Sequence, residues 1–116
     1  MYQNNTIAMK SKKFAIRIVN LYKYLMREYK EFVLSKQVLR SGTSIGANVR
    51  EALQGQSKKD FLCKMNISLK EASETEYWLE ILYETGYIDE ILFQSLYADC
   101  NELNRILIAI VKNTQI

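Results

Sequence analysis

Apolar residues recur at helical spacing almost from one end of the chain to the other. Ile7, Phe14, Ile18, Leu21 and Leu25 follow one another at intervals of 7, 4, 3 and 4, a single stripe along one helix. Val38, Ser41, Ile45, Val49 and Ala52 share a second face. Phe61, Met65, Leu69, Ala72, Leu79 and Tyr83 share a third. Leu92, Leu96, Cys100, Leu103, Leu107 and Ile110 form the most regular stripe, with steps of 4, 4, 3, 4 and 3. The pattern predicts helices over about 7–30, 36–53, 58–85 and 90–113, and no stretch alternates as a strand would.

Local signals place the ends. Thr6, Ser35, Ser57 and Asp89 are residues of the kind that cap helix N-termini. Asp60, three positions after Ser57, completes a short-armed capping box, and Gly86 suits the residue just past a helix end. The breaks are short, and short links between long helices force antiparallel neighbours. The whole chain therefore reads as one all-α domain, an up-down-up-down four-helix bundle.

Two helices carry more apolar surface than one bundle needs. The first has an apolar arc of about 160°, wider than the ~100° of an ordinary amphipathic helix. The third leaves Cys63, Ile67, Trp78 and Ile81 pointing away from its core face. That set is a candidate oligomer interface, and two separate excess patches suit a homo-oligomer.

Composition narrows the chemistry. The 116 residues include no proline, no histidine and four glycines, which favours long helices. Without histidine, the usual di-metal site of a four-helix bundle, built on Glu-x-x-His pairs, does not form. Cys63 and Cys100 make no C-x-x-C pair, and no glycine-rich phosphate loop is present. No metal, no cofactor and no catalytic residue is expected, so the chain is read as a non-enzyme. Its longest apolar run, Ile106 to Val111, is far too short to span a membrane, and Met1 to Thr6 does not resemble a secretory leader. A cytoplasmic location follows as the expectation.

The net charge of +3 conceals a split. Residues 1–70 hold 14 basic and 4 acidic residues; residues 71–116 hold 2 and 9. On the first helix Lys12, Lys23, Arg27 and Lys30 cluster about the outward direction, with Lys10, Lys13 and Arg17 on one flank. Such rows can neutralise the phosphates of RNA or DNA without reading sequence, or they can be a solvated face that pairs with an acidic neighbour.

The second helix is crowded with small and polar residues. Ser41, Gly42, Thr43, Ser44, Gly46 and Ala47 stand where a core helix usually carries leucine. Arg40, Ser44, Asn48 and Glu51 line one flank of it. With Glu76 from the third helix they make a candidate structural polar network, with Glu51 and Glu76 as carboxylates for Arg40 or Arg50. Loss of a buried arginine pair there would cost about 3 kcal/mol or more.

The motif Arg40-Ser41, Ser44-Ile45, Asn48-Val49, Glu51-Ala52, followed by Ser57-Lys-Lys-Asp60-Phe61, resembles the four-helix bundle family first noted in intervening sequences of bacterial 23S ribosomal RNA genes. That family includes the accessory variability protein of diversity-generating retroelements. The resemblance covers nearly the whole chain. It implies a left-handed bundle that commonly assembles as a homopentamer with a central channel. In the retroelement branch alone it implies a basic nucleic-acid-binding surface and a reverse transcriptase partner. Two functions stay open: a homo-oligomeric scaffold that binds nucleic acid weakly, and a purely structural or protein-interaction module.

Overall fold

The computed structural model describes residues 5–114. It holds α1 (Asn5–Tyr29), α2 (Leu34–Leu53), α3 (Lys58–Glu84) and α4 (Glu90–Asn113), with no strand among the described residues. The helices run side by side in a rod of 45 × 20 × 19 Å. Their order around the bundle is α1, α2, α3, α4, each packed on the next and α4 returning to α1.

Contacts across each seam descend on one helix as they climb on the other, so all neighbours are antiparallel. Thr75 donates to Ser41 and Ser68 to the Ile45 carbonyl across α2–α3. Tyr97 reaches Glu80 and Asn101 reaches Glu76 across α3–α4. Lys10 meets Glu102 and Arg17 meets Asp99 across α1–α4.

Two helix starts are capped as the sequence indicates. Ser57 accepts from the Asp60 N–H at 3.1 Å, and Asp89 from the Leu92 N–H at 2.8 Å. The other two candidate caps lie inside helices. Thr6 falls within α1, and Ser35 is a buried residue in the first turn of α2. Glu31 caps α2 instead. Its carboxylate accepts from the N–H groups of Ser35 at 2.7 Å, Leu34 at 3.0 Å and Val33 at 3.1 Å. A carboxylate here satisfies three orphan donors and opposes the positive end of the helix dipole.

Burial pushes the Glu31 carboxyl up, but the N–H donors of Leu34, Ser35 and Val33 outweigh it and hold it below its ordinary range. A depressed carboxylate contributes stability above its unfolded pKa, and that contribution is lost as pH falls through the folded value. Glu31→Gln is expected to lower stability at pH 7 by about 1 kcal/mol. Urea denaturation at pH 7 and pH 3 checks this: the gap from wild type should close at the lower pH.

α3 ends in a full Schellman motif. Gly86 takes φ +87°, its N–H donates to Tyr83, and the Tyr87 N–H donates to Leu82. α1 ends more awkwardly, with Lys30 at φ +51°, a left-handed conformation that side chains seldom adopt.

The crowding of α2 with small residues has a packing cause. Ile18 of α1 sits directly on Gly42, where a Cβ would lie 2.8 Å from both Ile18 Cγ1 and Cγ2. One turn on, a Cβ at Gly46 would approach the Ser11 carbonyl to 3.3 Å. On its other flank α2 meets α3 through Ser41, Ser68 and Thr75, all fully buried and all hydrogen-bonded. Small residues thus let α2 approach α1 and α3 closely, and hydroxyls fill the α2–α3 seam where leucines would hold the helices apart. Most of each predicted stripe is core: Ile7, Phe14, Ile18, Leu21 and Leu25 from α1, Val38, Ile45, Val49 and Ala52 from α2, Met65, Ala72 and Leu79 from α3, and Leu96, Cys100, Leu103 and Leu107 from α4; Phe61, Leu69, Tyr83, Leu92 and Ile110 are only half-buried at its edges.

Candidate interaction surfaces

Four helices in a ring present four faces, and the side chains make them different. The α2–α3 face carries the polar stripe, which the structure rearranges. Arg40 grips Glu71 through Nη1 at 3.2 Å to both oxygens and Glu74 through Nη2. Glu51 pairs with Lys64 at 2.8 Å, and Glu76 turns the other way to Asn101. Neither Glu51 nor Glu76 is therefore a partner of Arg40. The reason is register: Glu71 and Glu74 lie on the α2 side of α3, whereas Glu76 lies on the α4 side. Ser44 and Asn48 bond back to backbone carbonyls one turn earlier, of Arg40 and of Ser44, and not to each other's side chains.

The Glu74 carboxylate also accepts the Trp78 indole N–H at 2.9 Å. Donation from Arg40 first, and from Trp78, holds Glu74 below its ordinary range. The Arg40 side chain is half exposed, so the pair works against solvent screening. Arg40→Ala is expected to cost roughly 1 kcal/mol in chemical denaturation, well short of a buried ion pair.

Cys63 is exposed, while Ile67, Trp78 and Ile81 are half-buried along the outside of α3. Trp78 stacks edge-on against Tyr77, with ring centres 5.1 Å apart.

On the α4–α1 face the basic flank of α1 is partly consumed. Lys10 meets Glu102 at 2.7 Å and Arg17 meets Asp99 at 2.8 Å. Arg27 bonds Glu28 and leans over the Tyr24 ring. Lys12, Lys13, Lys23 and Lys30 form no ion pair among the described residues.

The α1–α2 face is a groove of about 430 Å³. Ala8 and Ala15 from α1, and Thr43, Gly46 and Ala47 from α2, make a low floor. Lys12 and Arg50 stand at its edges. The sequence signal is the run of small residues in α2, which permits close helix approach but does not by itself show that the outer side stays uncovered.

The opposite face, between α3 and α4, carries an aromatic ladder. Tyr83 stacks on Phe93 with ring centres 4.6 Å apart, and Phe93 meets Tyr97 at a 40° tilt with centres 5.1 Å apart. Tyr97 donates to Glu80 at 3.0 Å; burial and then Glu80 push its pKa up to about 12. Beneath it, Cys100 is buried against the Ala72 carbonyl, and burial pushes its thiol up. Tyr77, on the outer side of α3 against Trp78, and Ile108 of α4 are exposed.

No helix among the described residues is long and apolar enough to cross a membrane. A family model described as 23S rRNA-intervening sequence protein matches residues 3–109. A search of curated proteins finds no match. A solved crystal structure from Bacteroides thetaiotaomicron VPI-5482, of a protein with unknown function from the S23 ribosomal protein family, is 59% identical to this chain. It superposes with a TM-score of 0.93 over 95% of this chain and 98% of its own. With the same helices in the same order across nearly all of its length, this chain belongs to the 23S rRNA-intervening sequence protein family.

Proposed function

We propose that the chain is a non-enzymatic assembly protein, a bundle that associates with copies of itself. One observation carries this reading. The core stripes of all four helices are already buried, yet Met9, Ile16, Tyr77, Ile91 and Ile108 stay exposed on the outside. Single exposed apolar residues are ordinary, but this many on a small rod favours a covered surface. Light scattering at micromolar concentration tests it. A mass several times 13.6 kDa is expected, and a mass of 13.6 kDa overturns the reading.

A second reading, weak nucleic-acid binding by the assembly, is favoured by Lys12, Lys13 and Lys23 of α1 and Lys30 just past its end, which meet no carboxylate among the described residues. A titration of labelled RNA or DNA across salt tests it. Binding at about 50 mM salt that falls steeply as salt rises supports it. Lys13→Glu, Lys23→Glu and Lys30→Glu together should abolish that binding and leave the fold intact.

A further inference from the structure

The two ends of the rod differ in kind. At one end α2 passes to α3 through Gln54, Gly55, Gln56 and Ser57, none of them apolar. At the other end gather four of the eight large apolar side chains that stay exposed among the described residues: Tyr29, Phe32, Val33 and Ile91. Val33 is 70% exposed and Ile91 83%. The α1–α2 link is as short as the α2–α3 link, so turning the chain does not by itself require Phe32 and Val33. The platform is braced, because Tyr29 meets Tyr24 and Tyr87 edge-on and ties the end of α1 to the α3–α4 link. Charge splits across this tip. Lys30 and Lys36 stand on its α1–α2 half, Glu84 and Glu90 on its α3–α4 half, and none of the four makes an ion pair among the described residues. The other charges nearby are engaged: Arg27 with Glu28, and Glu31 and Asp89 as helix caps. Two of the free charges oppose their own helices. Lys36 lies in the first turn of α2, which holds no acid, and Glu84 closes α3, whose last turn holds no base. A cation at a helix start and an anion at a helix end are each locally unfavourable. Such local misfits are expected where a surface is used.

We infer that two copies of this chain meet end to end through this tip, related by a two-fold axis across the rod. The inference rests on the reading that the chain associates with itself, and adds an end-on contact to it. The order of the helices decides how the copies turn. Two simple two-fold axes bring tip onto tip. One sets α1 against α2 of the other copy and α3 against its α4, cation on cation and acid on acid. The other sets α2 against α3 and α1 against α4. Lys36 then comes to Glu84 of the other copy and Lys30 to its Glu90, while the Phe32–Val33 link meets the half that carries Ile91. The misfit charges correct each other, since Lys36 reaches the carbonyl end of α3 and Glu84 the amide end of α2. The contact is small. An end of 20 × 19 Å spans about 380 Å², under half of the ~800 Å² each partner gives to a standard interface. Two single rods therefore pair weakly and reversibly, and rods already held in parallel pair more tightly through several tips at once. A lipid surface fits the tip less well, because Glu84, Asp89 and Glu90 would turn toward anionic headgroups beside Ile91.

Sedimentation across a dilution series that reaches millimolar protein tests the inference. The wild type is expected to show a final step that doubles its mass and weakens as salt rises. Val33→Asp, Lys36→Glu and Glu84→Lys are each expected to raise the concentration for that step at least about tenfold, and Lys36→Glu with Glu84→Lys together should recover most of it. All three suit the fold: aspartate is a good residue just before a helix, and each reversal brings the charge that its own helix end prefers. Circular dichroism should show native helix content in each. Gln56→Lys, at the polar end, should leave the step unchanged. A wild-type mass of 13.6 kDa at every concentration would overturn both this inference and the assembly reading. If the wild type assembles, a Val33→Asp or Lys36→Glu series that coincides with it overturns the end-on contact alone and leaves the assembly reading standing. Capture by phosphatidylserine vesicles that Val33→Asp abolishes, with no doubling step, gives the tip to a lipid surface and also overturns the end-on contact.

Discussion

Replacing Gly42 with alanine is expected to destabilise the bundle, although alanine is the better helix former. The propensity gain is about 1 kcal/mol in favour of alanine. Against it, the new Cβ would stand 2.8 Å from two carbons of Ile18, a β-branched side chain with no solvent exposure. Ile18 has one comfortable rotamer in a helix and cannot swing aside. The helices must separate, and overpacking of this kind typically costs 1–3 kcal/mol. A net loss of about 1–2 kcal/mol is therefore expected in urea or thermal denaturation. A compensating change sharpens the test. Ile18→Val removes a methyl from the same contact, so the double variant should lose less than the two single changes added. A Gly42→Ala protein as stable as wild type would mean that α1 and α2 are not locked together at this point.

Phe14→Ala carries the larger loss. Phe14 is 2% exposed and sits where α1 meets α4, beside Leu103. Truncating a buried phenylalanine costs about 3–5 kcal/mol through lost burial and the cavity left behind. A small open hollow already lies there, lined by Lys10, Lys13, Asp99 and Glu102. Water entering from it would hydrate part of the new space, so the lower half of that range is expected. Ile16, two residues on, is 54% exposed, and Ile16→Ala should change stability by less than about 0.5 kcal/mol. The pair tests the register of α1 directly: a one-residue slip would reverse the order of the two effects.

Much of this bundle is legible in the sequence because its long helices repeat their apolar spacing many times. Phe14, Ile18 and Leu25, or Leu96, Leu103 and Leu107, leave no other face to bury. Ser57, Asp89 and Gly86 mark ends because their roles depend only on neighbours a few residues away. Glu31 escapes such reading because a capping side chain three residues before the helix it serves looks like any loop acid. The partners of Arg40 escape it for a different reason. Helical wheels give the side of α3 on which an acid lies, but the axial offset between α2 and α3 decides whether Glu71, Glu74 or Glu76 comes level with Arg40. That offset follows from Ser68 meeting the Ile45 carbonyl and Thr75 meeting Ser41, contacts between residues unremarkable in sequence. The surfaces are least legible, since whether Lys10 and Arg17 remain available depends on Glu102 and Asp99, more than 80 positions away.

The clamp on the α2–α3 face also gives the molecule a built-in optical reporter. Trp78 is the only tryptophan, and its indole N–H rests on the carboxylate that Arg40 holds. Its emission is therefore expected to respond to the state of that salt bridge. Acidification through the Glu74 titration, or Arg40→Ala at neutral pH, should shift the fluorescence while the far-ultraviolet helix signal stays at its native value. A spectroscopist who followed unfolding by tryptophan alone would see this local release first and mistake it for the melting of the bundle.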